Sequence, residues 1–152
     1  MPDFEIRHVP HQDTAVVRRR CAPDAISAAM GEGFGTVFAA LGRAGATPAG
    51  AVFARYFSFG PDAIDFECGA AVTAPFVGDG EVQPGELGGG ETAVGVHVGP
   101  YDTLHETYSA MQAWMTAQGR RPASSMWEVY LSDPAQEPDP ARWRTEIYWP
   151  VW

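Results

Sequence analysis

Apolar and polar positions along the chain switch between period two and a period near 3.6, in an order that occurs twice. Thr14 to Arg20 is β-branched and arginine-rich and reads as a strand. Pro23 opens a helix with Ile26, Met30, Val37 and Leu41 on one stripe and Phe34 and Phe38 beside it. Gly31, Gly33 and Gly35 work against that helix, each by up to about 1 kcal/mol relative to alanine. Ala51 to Phe59 and Ile64 to Val72 are two further strands, joined by a turn at Gly60-Pro61-Asp62.

The second half repeats this order. Thr92 to Val98 is a strand, and a helix starts near Gly99-Pro100-Tyr101-Asp102, with Asp102 as its candidate N-cap. Leu104, Tyr108, Met111 and Met115 form the helix stripe, flanked by Trp114, and Gly119 ends it. Ser125 to Ser132 and Arg144 to Val151 close the chain as strands. Phe53, Tyr56 and Ser58 align with Trp127, Tyr130 and Ser132, Pro23 aligns with Pro100, and Glu67 with Glu146.

These alignments predict an α+β fold of duplicated βαββ units related by a pseudo-twofold axis. The expected form is an antiparallel sheet with helices on one face and a ligand groove on the other, since pockets tend to form between repeats. The expected organisation is one domain over residues 1–152, with repeat one at about 4–76, a linker at about 77–90 and repeat two at about 91–152. The linker is rich in glycine and acid and reads as flexible. Its charge complements the Arg18-Arg19-Arg20 run.

Composition narrows the function. The 152 residues carry 19 acidic and 10 basic side chains, a formal net charge of −9. Direct nucleic-acid binding is excluded on this ground, because it depends on clustered cations that release phosphate counterions. The N-terminus has no basic segment followed by an apolar one, and no apolar run approaches the roughly 20 residues of a membrane span. The expectation is a cytoplasmic protein with no membrane partner. Cys21 and Cys68 read as buried free thiols. The four histidines lie in no ligand pattern with carboxylates, so no metal and no cofactor are expected. Gly31-Glu32-Gly33-Phe34-Gly35 is not a dinucleotide fingerprint, and Ser124 and Ser125 lack the glycines of a nucleophile elbow.

Glu128 is the outstanding side chain. It interrupts the apolar strand Met126-Trp127-Glu128-Val129-Tyr130-Leu131. Alternation places Trp127, Val129 and Leu131 on one face and Met126, Glu128 and Tyr130 on the other. With the first set under the helices, Glu128 points into the groove beside Met126 and Tyr130; the alternative is a glutamate on a solvated sheet face. A carboxylate desolvated by aromatic rings has a raised pKa and attracts a cation, and ring faces add about 0.5–2 kcal/mol of cation–π attraction. Tyr56, the counterpart of Tyr130, faces it across the axis, and Trp149 is a further candidate for the groove wall. The aromatic run Tyr148-Trp149 also suits a core strand, and its two rings point to opposite faces.

Gly99-Pro100-Tyr101, Leu104, Tyr108, Trp127-Glu128-Val129-Tyr130-Leu131-Ser132-Asp133-Pro134 and Thr145-Glu146-Ile147-Tyr148 with Pro150 together resemble the GyrI-like small-molecule-binding domain. That family also supplies the effector-binding half of multidrug-responsive transcription regulators. The resemblance spans nearly the whole chain, with its specific motifs in the second half. It implies the duplicated βαββ fold and an aromatic groove with a buried glutamate, matched here by Glu128, with Tyr130 as the motif tyrosine. With no room before Phe4 for a DNA-binding helical motif, it implies a stand-alone member.

Three functions follow from the resemblance. The first is a binding protein for lipophilic, often cationic small molecules. The second is a hydrolase that opens a strained cyclopropane ring, with Glu128 as general base and Tyr130 as hydrogen-bond donor. The third is a module that acts on a protein partner such as a topoisomerase. The site residues expected for binding are Glu128, Tyr130, Met126, Tyr56 and Trp149; catalytic roles fall to Glu128 and Tyr130 if the protein is an enzyme.

Overall fold

The computed structural model describes residues 4–132 and 136–152, so Asp133-Pro134 of the family motif lies outside the described residues. The strands are β1 (Glu5–Val9), β2 (Gln12–Cys21), β3 (Pro48–Phe59), β4 (Ile64–Val72), β5 (Gln83–Leu87), β6 (Gly90–Val98), β7 (Met126–Tyr130) and β8 (Arg144–Pro150). The helices are α1 (Ile26–Ala44) and α2 (Leu104–Ala117), each entered through a short 3-10 turn. Asp102 lies inside such a turn, Tyr101–Thr103, and does not cap α2.

All eight strands form one antiparallel sheet in the order β1-β6-β8-β7-β3-β4-β2-β5. Each βαββ unit contributes three neighbours, β3-β4-β2 and β7-β8-β6, and the units join edge to edge where β3 pairs with β7. The expected duplicated architecture is present. The segment expected to be a flexible connection contains β5, which pairs with β2 from Gln12↔Leu87 to Val16↔Gln83. Its glycines and acids mask this strand in a reading by composition.

β1 and β5 close the sheet. Residues 5–9 pair with 90–94 and residues 12–16 with 83–87, so one long antiparallel ladder bends between its two parts and links the ends of the strand order. The connectors touch at the bend: the Gly89 amide donates to the Val9 carbonyl at 2.7 Å. Gly88 has φ +81, and a Cβ there would run into the Pro10 carbonyl, so glycine answers both demands of the crossing. Arg19 on β2 pairs with Glu32 at 2.9 Å and with Glu81, just before β5, at 2.6 Å, joining the arginine run to the acidic connection.

Helix α1 packs on β2 and β4 through Gly33, Val37, Ala40 and Leu41. Gly33 has a packing reason: a Cβ at this position would press on Cys68 Sγ and on Val17. Close approach of the helix to the sheet offsets the weak propensity of that residue. With its entry turn the helix spans Pro23–Ala44, 22 residues, long and apolar enough by length and composition to cross a membrane. This differs from the expectation that no apolar run approaches membrane length, because scattered polar residues interrupt the run without removing the apolar character of the helix as a whole. Among the described residues both cysteines are free thiols.

The assignment of sheet faces differs from expectation. Met126 and Tyr130 belong to the main core with Val37, Leu41, Met111 and Met115 of the helices, whereas Trp127 and Val129 cluster with Val16, Phe53 and Leu87 on the opposite face. Glu128 therefore shares the helix-bearing face. Alternation divides the residues of β7 into two sets correctly, but Met126, Trp127 and Glu128 are all buried, and burial on both faces removes the cue for which set lies beneath helices.

Candidate functional site

The pseudo-twofold axis crosses the sheet where β3 meets β7. Pairing runs Phe53↔Val129, Ala54↔Glu128, Arg55↔Trp127 and Tyr56↔Met126. In the alignment of the repeats, Ala54 is the counterpart of Glu128, so this position faces its own mate across the axis. One side carries a carboxylate and the other a methyl group.

Glu128 is 2% exposed. The Tyr130 hydroxyl donates to its Oε1 at 2.8 Å, and the hydroxyls of Tyr130 and Tyr56 lie 3.2 Å apart. Burial pushes the Glu128 carboxyl up to about 7, against the pull of hydrogen bonds from the two tyrosines. Both phenols are raised well above their ordinary range, first by burial and then by the neighbouring carboxylate. No ion pair among the described residues reaches Glu128. Among the described residues it is a buried acid without a countercharge.

Aromatic rings surround this group. Phe34 of α1 meets Tyr130 edge-on at 6.4 Å, and Tyr101 does so at 5.9 Å. Tyr101 in turn packs against Trp143 at 4.9 Å.

Beside this cluster lies a groove of about 380 Å³, lined by Tyr56, Phe57, Ser58, Phe59, His105, Tyr108, Gln112, Ser124, Met126 and Trp149. It joins the end of β3 to α2 and the start of β7. Of the expected site residues, Tyr56, Met126 and Trp149 line the groove. Glu128 and Tyr130 are not in its walls and connect to it through Tyr56. The Trp149 indole is held by donation to the Ala123 carbonyl at 3.0 Å and meets Tyr108 edge-on at 6.2 Å.

Tyr108 stands in the apolar stripe of α2 and is not among the site residues expected from sequence. Its hydroxyl is buried and has no hydrogen-bond partner among the described residues. A tyrosine among leucine and methionine on a helix stripe is the signal that was available. Phe59 was legible only as a strand residue; it packs on Tyr56 at 4.6 Å while remaining 60% exposed, and so forms the rim.

A sheet of two joined βαββ units with an aromatic groove beside a sequestered acid is an arrangement suited to a small-molecule-binding domain. The sequence profile of the GyrI-like small molecule binding domain matches residues 2–151, and the chain belongs to that family. A search of curated protein sequences finds no match. Among solved structures, the fold is similar to the EcmrR C-terminal domain, with TM-score 0.87, 20% identity, and coverage of 100% of this chain and 98% of that one. In the EcmrR–DNA complex the chain spans 57% of the neighbour's length and covers 99% of its own, at 20% identity and TM-score 0.85. It is also similar to a protein described as a hydrolase from Listeria innocua, at TM-score 0.70 and 18% identity, covering 98% and 91% of the two chains. SAV2435 bound to tetraphenylphosphonium aligns at TM-score 0.60 and 8% identity, covering 99% and 94%.

Proposed function

We propose that the protein is a cytosolic binding protein for lipophilic, often cationic, aromatic small molecules, held in the groove beside α2 with Glu128 as electrostatic anchor. The observation that carries this reading is the buried Glu128 carboxylate without a countercharge, next to an aromatic groove. A charge in low dielectric gains far more from an opposite charge than it would in water. Tyr56 lines the groove, and its hydroxyl lies 3.2 Å from that of Tyr130, which donates to Glu128, so Tyr56 stands between groove and acid. The unpartnered Tyr108 hydroxyl serves a polar atom of the ligand. A neighbour of the same fold binding tetraphenylphosphonium supports the reading.

Titration with tetraphenylphosphonium, read by tryptophan fluorescence, tests it. Glu128→Gln is expected to weaken binding at least tenfold while the affinity for neutral triphenylphosphine oxide stays within about twofold, since one lost ion contact in a dry site exceeds 1.4 kcal/mol. Equal loss for both ligands, or for neither, removes the anchor role.

One feature favours a second reading, hydrolysis. A carboxyl near 7 with a tyrosine donor 2.8 Å away is suited to general-base catalysis at neutral pH. Glu128 would take a proton from water as its oxygen attacks the strained ring carbon. The electrons of the breaking C–C bond move to a conjugated carbonyl, whose enolate oxygen accepts a hydrogen bond from Tyr130 as that hydroxyl turns from Glu128, and the proton taken up by Glu128 then passes to the enolate carbon. Described as a hydrolase, the Listeria neighbour supports this reading by fold. A ligand recovered one water heavier from the unaltered protein, and unchanged from Glu128→Gln, decides for the enzyme.

A further inference from the structure

We propose a second binding site, for a compact one-ring aromatic cation, on the sheet face opposite the helices. A cleft of about 190 Å³ opens there, with Phe53, Leu87, Trp127, Val129, Glu146 and Tyr148 among its walls. It shares no wall residue with the groove beside α2. The two lie on opposite faces of the same strands, because alternation sends Trp127 and Tyr148 away from Met126 and Trp149.

The chemistry of the cleft is that of a cation site. Trp127 and Tyr148, paired across β7 and β8, stack at 5.2 Å with an interplanar angle of 2°. Glu146 is partly buried, and it accepts a hydrogen bond from the Tyr148 hydroxyl at 3.0 Å. No ion pair among the described residues involves Glu146. The nearby Arg7 is paired with Glu5 at 3.3 Å, donates to the Tyr148 hydroxyl at 3.3 Å and lies over the Tyr148 ring, 5.9 Å from its centroid, so a ligand cation competes with it for that ring but not for Glu146. A carboxylate without its own cation, flanked by large π surfaces, offers charge and quadrupole attraction to the same ligand. The volume is half that of the other groove, which selects one ring with one charged group over multi-ring compounds.

Benzyltrimethylammonium is the probe, with benzyl alcohol as its uncharged comparator. Binding is read by tryptophan fluorescence and by saturation transfer from protein to ligand. The cation is expected to bind and the alcohol not to. Glu146→Gln should weaken the cation at least tenfold, and Trp127→Phe should remove most of the fluorescence change. Tyr148→Phe keeps the ring stack and should weaken binding about threefold, a second readout if Glu146→Gln disturbs folding. Glu128→Gln should leave the affinity within twofold. Absence of binding, or equal binding by Glu146→Gln, overturns the site. Loss in Glu128→Gln instead assigns the cation to the inner groove, so the two proposals fail separately.

Discussion

At the scale of single residues, Glu128 ties stability to pH and, as the proposed anchor, would tie affinity to pH with the opposite sign. Its native pKa, about 7, exceeds the ordinary carboxyl value of 4.5. Between these values the folded chain binds more protons than the unfolded one, so stability falls as pH rises from about 4.5 to 7 and stays low above that. A raise of this size in a buried group is worth on the order of 3 kcal/mol. Under the proposed function, affinity for a cationic ligand is expected to move the other way, because only the ionised form attracts it. Glu128→Gln should therefore raise the melting temperature at pH 8, remove most of the decline between about pH 4.5 and 7, and abolish the rise in cation affinity across that interval. Calorimetry and ligand titration over the same buffers check both signs. That a carboxylate in an apolar strand is unusual was legible in the sequence. That it lies one layer behind Tyr56 was not, since such depth depends on how two tyrosines from different strands meet.

At the scale of elements, hydrophobic period located the paired central strands and both helices to within a few residues. It missed β1 and β5, for a physical reason. β1 has no buried residue and β5 has one, Leu87, so neither presents a full apolar stripe. Their order comes from pairing with each other's neighbours, a long-range relation that local pattern does not carry. Gly88→Ala probes this closure. It meets both a left-handed backbone and the Pro10 carbonyl, and should cost on the order of 2–4 kcal/mol in urea denaturation. Gly89→Ala has a similar backbone, φ +93, with open space around it, and should cost only about 1–2 kcal/mol. Equal costs would show that the crossing of the connectors adds nothing.

At the scale of the whole molecule, internal repetition was the strongest guide to the architecture. Offsets between the halves, such as Tyr56 with Tyr130 and Glu67 with Glu146, recur as positions related across the β3–β7 seam. The side of the sheet taken by the helices was not legible, because a sheet buried on both faces satisfies alternation either way. The position where Ala54 faces Glu128 has a consequence for how such a chain can arise. A homodimer of one βαββ unit, assembled through the same strand edges, would place identical residues there: two alanines or two glutamates. Two alanines leave no anchor, and two carboxylates in one dry site keep a shared proton and oppose each other. Ala54→Glu re-creates that pair and should lower stability more at pH 8 than at pH 5, measurable by thermal unfolding at both. Covalent fusion of the halves lets each copy vary independently, and a solitary charge on the axis is a state that no homodimer of one unit can reach.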